Sequence, residues 1–394
     1  NNIANSSTVG FKSSTISFAD VYAASSRVGL GVQVASVNQR FTTGNISVSG
    51  NQFDMAIDGA KGLFRLVDNS GSVFYSRNGQ FIANKDFDIV NAQGMKLTGF
   101  RAAEDGTITN ELVNIKVPVG NIEPQATDYI TVKTNLDSRT PPVPAAISTL
   151  AEVRKPDNHT HSLPITVYDS LGNPHQLTQY FVKRESQNSE SVWDVFYDGG
   201  SLPDGTPIAV TPAKGTIKFD DAGRLLTDAP NVSAVAISWN VGGASPAEAI
   251  SIEVDYAGST QFGGEFSPTF TQNGYATGEY SSMSIASDGS IIANYTNGES
   301  KIMGALALAN FNNMNGLQAV GGNAWVETGA SGQPVLGQPG TNGFATVKGQ
   351  AVEESNVDLS QELVNMIIAQ RTYQANAQTI KTQDQILQTL ITLR

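Results

Sequence analysis

The sequence predicts a mainly β chain: two elongated β domains in tandem, one inserted in the other, followed by a terminal α-helical, coiled-coil segment. Three observations carry this expectation. Short runs of β-branched and aromatic residues are divided by Asn-Gly, Asp-Gly and Gly-Asn pairs, the chemistry of tight hairpins. A proline-rich stretch, SRTPPVPAA, and a glycine-containing one, FGGEFSP, bracket a second set of such runs. The residues from Asp358 onward contain neither glycine nor proline and carry apolar side chains at helical spacing.

The chain opens NNIANSSTVGF, and its asparagines are helix-terminating types, so a helix is expected to end here and a piece of chain to precede Asn1. The clearest strands follow in GLFRLVDNSGSVFYSRNGQFIANKDFDIVNAQGMKLTGF. Leu63–Val67, Val73–Ser76, Gln80–Ala83, Asp88–Val90 and Met95–Thr98 alternate with turns at Asn69–Gly71, Asn78–Gly79 and Gln93–Gly94, which reads as a meander. A related pattern returns in SSMSIASDGSIIANYTNGESKIMGALALANF, so the two stretches are expected to share one domain. Between them, Pro141, Pro142 and Pro144 cannot continue a strand ladder and Gly263 with Gly264 forms a flexible exit, so both read as linkers to an inserted β domain. The chain leaves and re-enters the first domain, so the two are expected to stack end to end. An insert with neighbouring ends should be replaceable, from Pro141 to about Ser267, by a short Gly-Ser linker.

Asp358, with Gln361 three positions later, forms a capping-box signature, so a helix is expected to begin near Leu359. Leu359, Leu363, Met366, Tyr373, Ala377, Ile380, Leu387 and Ile391 follow at steps of three and four or skips of them, a heptad stripe interrupted by Gln370 and Asp384. At about 1.5 Å per residue the helix would extend about 55 Å, beyond what covering a β domain requires. A second stripe of Ile367, Ile386, Leu390 and Leu393 widens the apolar surface. Either the helix folds back on its own β domain, or it meets other helices and is buried only in an assembly. Only Arg371, Lys381 and Asp384 carry charge between Leu363 and Leu393, which favours side-by-side copies.

Composition narrows the function classes. Charged residues are 15% of the chain, against roughly 25% in ordinary globular proteins. The net charge of −12 and the lack of any basic run exclude a nucleic-acid-binding reading. No apolar run is long enough to span a bilayer, so no membrane insertion is expected. The cysteine count is zero, which removes disulfides, thiolate metal sites and cysteine nucleophiles. His159, His161 and His175 all lie in the insert. The first two form a His-x-His pair that could face one metal, but no carboxylate accompanies them in a ligand pattern, so no metal is expected. Replacing both by Ala should then leave melting unchanged. Asp220 and Asp221 sit in a turn, where Asp serves backbone hydrogen bonding. No nucleophile elbow, phosphate-cradling loop or H-E-x-x-H occurs, so no catalytic residue, cofactor or enzyme activity is expected.

The segment NNIANSSTVGFKSS is similar to the N-terminal signature of the axial proteins of bacterial flagella, the rod and hook family. SNVDLSQELVNMIIAQRTYQANAQTIKTQDQILQTLITLR resembles the family's C-terminal helix, and GLFRLVDNSGSVFYSRNGQF and VYDSLGNPH resemble its hook members. The resemblance implies a structural polymer, the hook being a curved, flexible tube that couples the rod to the filament; a distal rod subunit is the alternative, and a secreted β-rich binding protein a weaker one.

The resemblance also implies that the terminal helix pairs with an N-terminal helix in an inner tube through Leu363, Met366, Ile367, Tyr373, Ala377, Ile380, Leu387 and Ile391. Phe11, Phe18 and Tyr22 would be connector aromatics, either docking on neighbouring subunits or forming a local core. Residues 1–51 would be the helix end and connector, 52–140 with 268–350 the inner β domain, 141–267 the inserted outer β domain, 351–357 a second connector and 358–394 the tube helix. The implied partners are further copies of the chain, rod proteins, hook-filament junction proteins, the hook cap and the flagellar type III export apparatus, through which the chain would reach an extracellular position.

Overall fold

The computed structural model describes residues 1–21, 31–186, 189–201, 207–227, 234–239 and 247–392. The chain divides into two compact units, residues 1–119, 281–294 and 300–394 forming the first and residues 120–280 and 295–299 the second.

One local device recurs in both units. At Asp68, Asn84, Asn91, Asp169 and Asp220 the backbone N–H bonds to the carbonyl four residues on, and the N–H three residues on bonds back. In each case the side-chain oxygen of that first residue also accepts from backbone N–H groups inside the turn. The fourth residue must then take positive φ, and Gly71, Gly94, Gly172 and Gly223 supply it without a Cβ penalty. The exception is Phe87, held at φ 62° in the same position with its ring largely in solvent. A bulky residue there is strained. Phe87→Gly is therefore expected to raise stability by about 0.5–1 kcal/mol. Urea titration of the two proteins checks this; an unchanged or lower midpoint would show that the ring's contacts outweigh the strain.

In the first unit one sheet runs in the order Tyr280–Ile285, Ser290–Tyr295, Ser300–Leu306, Lys96–Ala102, Leu63–Val67, Val73–Ser76, Ala324–Val326, Gln318–Gly321. The strands expected at Leu63–Val67 and Val73–Ser76 form as read, but they do not continue as a simple meander. Lys96–Ala102 returns to pair with Leu63–Val67, with Leu66 opposite Leu97. Leu308–Asn310 joins the same strand, Leu308 opposite Phe64. Both faces of this sheet are buried: Phe64, Leu66, Leu97, Leu306 and Leu308 are fully inaccessible on one, and Leu63 packs with Tyr75, Ala309, Phe311 and Trp325 on the other. Beside them Tyr75 meets Phe311 edge-on at 4.8 Å, and Phe41 leans on Trp325 at 5.5 Å.

The second unit pairs two sheets over a common core. Val210–Thr211, Ala234–Trp239, Ile250–Asp255, Tyr129–Asn135 and Ser267–Gln272 form one; His161–Tyr168, Pro174–Lys183, Ser191–Asp198 and Lys214–Phe219 form the other. Alternate residues of both, among them Ile130, Val132, Ile165, Phe181, Trp193 and Val254, face inward. This unit is wider than the span between the proline-rich entry and the glycine-containing exit. Tyr129–Asn135, which precedes that span, pairs in parallel with Ile250–Asp255 inside it and antiparallel with Ser267–Gln272 at its far edge. The proline-rich stretch is likewise no free linker. Val143 N–H bonds to Lys183 O at 2.8 Å, and Val143, Ile147 and Leu150 pack on Val153, Val182 and Phe196.

The histidines serve this packing. His159 Nδ1 lies 2.8 Å from Val153 O and its ring sits 4.8 Å from Tyr180. His161 stacks on Phe266 at 4.3 Å and on Trp193 at 6.1 Å. Among the described residues no three His, Asp or Glu side chains converge on a metal position. The expectation that the pair can be removed without consequence for melting does not survive this geometry, because Ala at 161 would empty the space between two rings. Burial pushes the His161 pKa below its ordinary 6.5. The unfolded chain then takes up the proton more readily, so this contribution is present above the unfolded pKa and is lost as pH falls through the folded one. His161→Phe keeps the stack and removes the titration. Between about pH 7 and about pH 5, its melting temperature should fall less than that of the parent. Parallel pH profiles would show that the ring is not protonated on unfolding.

Candidate assembly surface

The two ends of the chain meet in the first unit, and the sequence TVGFKSS makes the junction. Gly10 has φ +71°, and a Cβ there would lie 2.5 Å from Asn78 N, so only glycine fits; its own N–H bonds to Glu353 O at 2.7 Å. Next to it Phe11 is buried, and the Lys12 side chain runs inward to Glu353. Lys12 Nζ lies 2.5 Å from Glu353 Oε1 and Arg77 Nη1 lies 3.0 Å from Oε2, with all three side chains wholly inaccessible. Carbonyls complete the site, Thr42 O accepting from Lys12 and Gly59 O from Arg77. Burial holds the Lys12 ammonium below the ordinary lysine range, opposed by the carboxylate beside it.

A few residues on, Asn356 ties both ends again. Its Oδ1 accepts from Ser13 N–H at 2.7 Å and its Nδ2 donates to Arg40 O at 2.7 Å. The strands Ile46–Val48 and Ala351–Glu353 pair antiparallel, completing the connector.

From this junction the terminal helix, Leu359–Thr392, begins where its cap predicts. Asp358 Oδ1 accepts from Gln361 N–H at 3.1 Å. The box is only half made, because the Gln361 amide turns to Asn365 Oδ1. Asn2 donates to Glu362 at 3.2 Å. The helix would measure about 51 Å. Its threonine hydroxyls find partners within the helix: Thr372, Thr379, Thr382 and Thr389 each donate to the carbonyl four residues back.

The expected stripe lies open along this helix. Leu363, Met366, Ile367, Ile380 and Leu387 are exposed, Tyr373 and Ile391 are 77% and 75% exposed, and Ala377 is partly covered. Of the connector aromatics, Phe11 is inside its own chain, the local-core alternative. Phe18 is exposed, and Tyr22 lies outside the described residues.

A second apolar surface had no forecast beyond Phe18. Ser14–Asp20 and Val32–Gln39 form an antiparallel ribbon in which Ile16 faces Val37 and Ser17 faces Ser36, but Phe18 faces Val34. Ala35 is thus the extra residue of a bulge. Without it, Val32 and Val34 would point to the face opposite Val37. With it, Ile16, Phe18, Val32, Val34 and Val37 share one face, each 56–71% exposed, while Thr15, Ser17, Gln33, Ser36 and Asn38 share the other. The broken spacing V-x-V-x-x-V was the signal in the sequence that could have revealed it.

The chain matches the family models for the flagellar hook protein FlgE/F/G D1 domain over residues 56–135, the flagellar basal body protein FlaE D2 domain over 135–275 and the flagellar basal body rod FlgEFG protein C-terminal region over 348–393. It is 43% identical to the flagellar hook protein FlgE of Salmonella typhimurium and 42% identical to that of Escherichia coli, in each case over the whole of this chain and 95% of the relative. The FlgE of Borreliella burgdorferi is 30% identical over the same shares. Among solved structures, the Helicobacter pylori flagellar hook protein FlgE2 matches in fold, with a TM-score of 0.59 at 14% identity, covering 78% of this chain and all of that one.

Proposed function

The chain belongs to the flagellar hook protein FlgE family, a family of structural proteins, and from that premise we propose how its surfaces build a hook. The protein is a structural subunit of the bacterial flagellar hook, and copies of it polymerise into a curved, flexible tube that passes motor torque from rod to filament. The observation that carries the assembly reading is the terminal helix, 34 residues long, whose apolar stripe the described residues leave largely exposed. Such a stripe is costly in water, at about 25 cal/mol per Å² of apolar surface, and it is removed from water when helices pack side by side.

The residues for that contact are Leu363, Met366, Ile367, Tyr373, Ala377, Ile380, Leu387 and Ile391. A tube that bends while turning must lengthen and shorten each row of subunits in every revolution. Packed helices supply the continuous inner connection, and weakly charged β surfaces exchange contacts at low cost. On this reading the chain is exported through the flagellar channel by the type III apparatus, is added beneath a cap, and meets rod proteins at one end and junction proteins at the other.

The test is expression in a motile bacterium lacking its own hook protein. Curved tubes between rod and filament are the expected result. Straight tubes would point to a rod subunit, and secreted protein without tubes would overturn the polymer reading. A companion variant replaces the second unit by a short Gly-Ser linker. Ile122 N–H bonds to Gly278 O at 2.8 Å, so the cut belongs there, and not at Pro141, where it would strip Tyr129–Asn135 of its parallel partner Ile250–Asp255. Tubes should still form but lose regular curvature.

A further inference from the structure

We propose that the apolar face of the connector ribbon is a seat for the terminal helix of a second copy of the chain; the proposal rests on the polymer reading and names the partner of one of its surfaces. The first ground is the bulge at Ala35. It keeps Ile16, Phe18, Val32, Val34 and Val37 on a single face of a two-stranded ribbon, which the described residues leave exposed. A ribbon with one dry face and one polar face is built to lie on something apolar.

The second ground is what that face already borders. At the base of the ribbon, Ile16 and Val37 form one wall of a groove of about 460 Å³ whose other wall is Met366 and Ala369 of the terminal helix, with Ile3 between them. Ribbon and helix thus face each other across a groove over one turn of the helix. Phe18, Val34 and Val32 do not line that groove and stay 64%, 58% and 71% exposed, so the chain's own helix does not cover them.

The third ground is the helix. Apart from the stripe reserved for helix pairing, Val364, Ile368, Ile386 and Leu390 recur near whole numbers of turns on another side and are exposed. Arg371 lies one turn beyond Ile368 on that side, and the only charged residue among the described strands of the ribbon is Asp20, on its apolar face opposite Val32. The two surfaces match in apolar character and in their single charges.

The chain contains no cysteine, so engineered thiols report without background. Copies carrying Phe18→Cys are coexpressed with copies carrying Ile368→Cys, tubes are isolated and mild oxidation is applied. The expected result is a disulfide-linked dimer that requires both variants. Dimers from Phe18→Cys copies alone would mean that ribbon meets ribbon, and intact tubes without cross-links would mean that another surface covers the face; either overturns the proposal. If the unmodified protein forms no tubes, the polymer reading itself has failed.

Independently, Phe18→Ser should leave monomer melting unchanged while raising the concentration needed for assembly about tenfold or more. Asp20→Arg should weaken assembly, and Arg371→Glu in the same chain should restore it. An unaffected assembly in Phe18→Ser would also overturn the seat.

Discussion

Glu353→Gln is expected to destabilise the first β unit by about 3–5 kcal/mol, a large share of a typical domain's stability. The carboxylate is the counter-charge to two wholly buried cations, Lys12 and Arg77, and also accepts from Gly44 N–H at 2.8 Å. A neutral amide leaves both cations uncompensated and turns an N–H donor toward them. Hydrogen exchange along Ile46–Val48 and Ala351–Glu353, together with urea unfolding followed at Trp325, measures the loss. A shift of the urea midpoint worth under about 1 kcal/mol would show that the three charges do not hold the junction. The cause can be separated from the site: replacing Lys12 and Arg77 by Met and Glu353 by Leu together should restore most of the stability, since an apolar cluster of similar volume has no charges to desolvate.

Removing Tyr373–Arg394 is expected to have the opposite profile. Melting of both β units should be unchanged and assembly should be abolished. The groove against the ribbon ends at Ala369, and Tyr373, Ile380, Leu387 and Ile391 are exposed, so the deleted segment gives up little within its own chain. It holds five of the eight stripe residues proposed for helix pairing: Tyr373, Ala377, Ile380, Leu387 and Ile391. Calorimetry of the monomer and electron microscopy of tubes check the two halves separately. A broadened or lowered melting transition would place the helix in the β core, the fold-back arrangement that the sequence left open.

Local features were legible in the sequence, and long-range ones were not. The start of the helix near Leu359, its stripe, and the strands Leu63–Val67 and Val73–Ser76 follow from capping chemistry and periodicity, which act over a few residues. The return of Lys96–Ala102 to Leu63–Val67 is a choice among equally apolar edges and leaves no local mark. The triad was invisible for the same reason. Lys12 and Glu353 look like ordinary surface charges until 341 positions of chain are folded between them. Gly10 and Phe11 were noticed as a signature, but their cause is a backbone approach to Asn78 that no spacing reveals. His161 was misjudged because stacking partners, unlike metal ligands, impose no sequence pattern.

The separation that hides the triad also sets an order of events in time. Each Asx-capped turn closes five residues of chain, whereas the Lys12–Glu353 contact closes a loop of 341, and the entropy cost of closure grows with that length. Hairpins therefore form early from local contacts, and the joining of the two chain ends waits until the intervening strands have shortened the path. What forms last from distant pieces is also free to open on its own without melting the hairpins, as a separate cooperative element. The hairpins of the subunit thus form first, and Lys12 and Glu353 lock together as the final step.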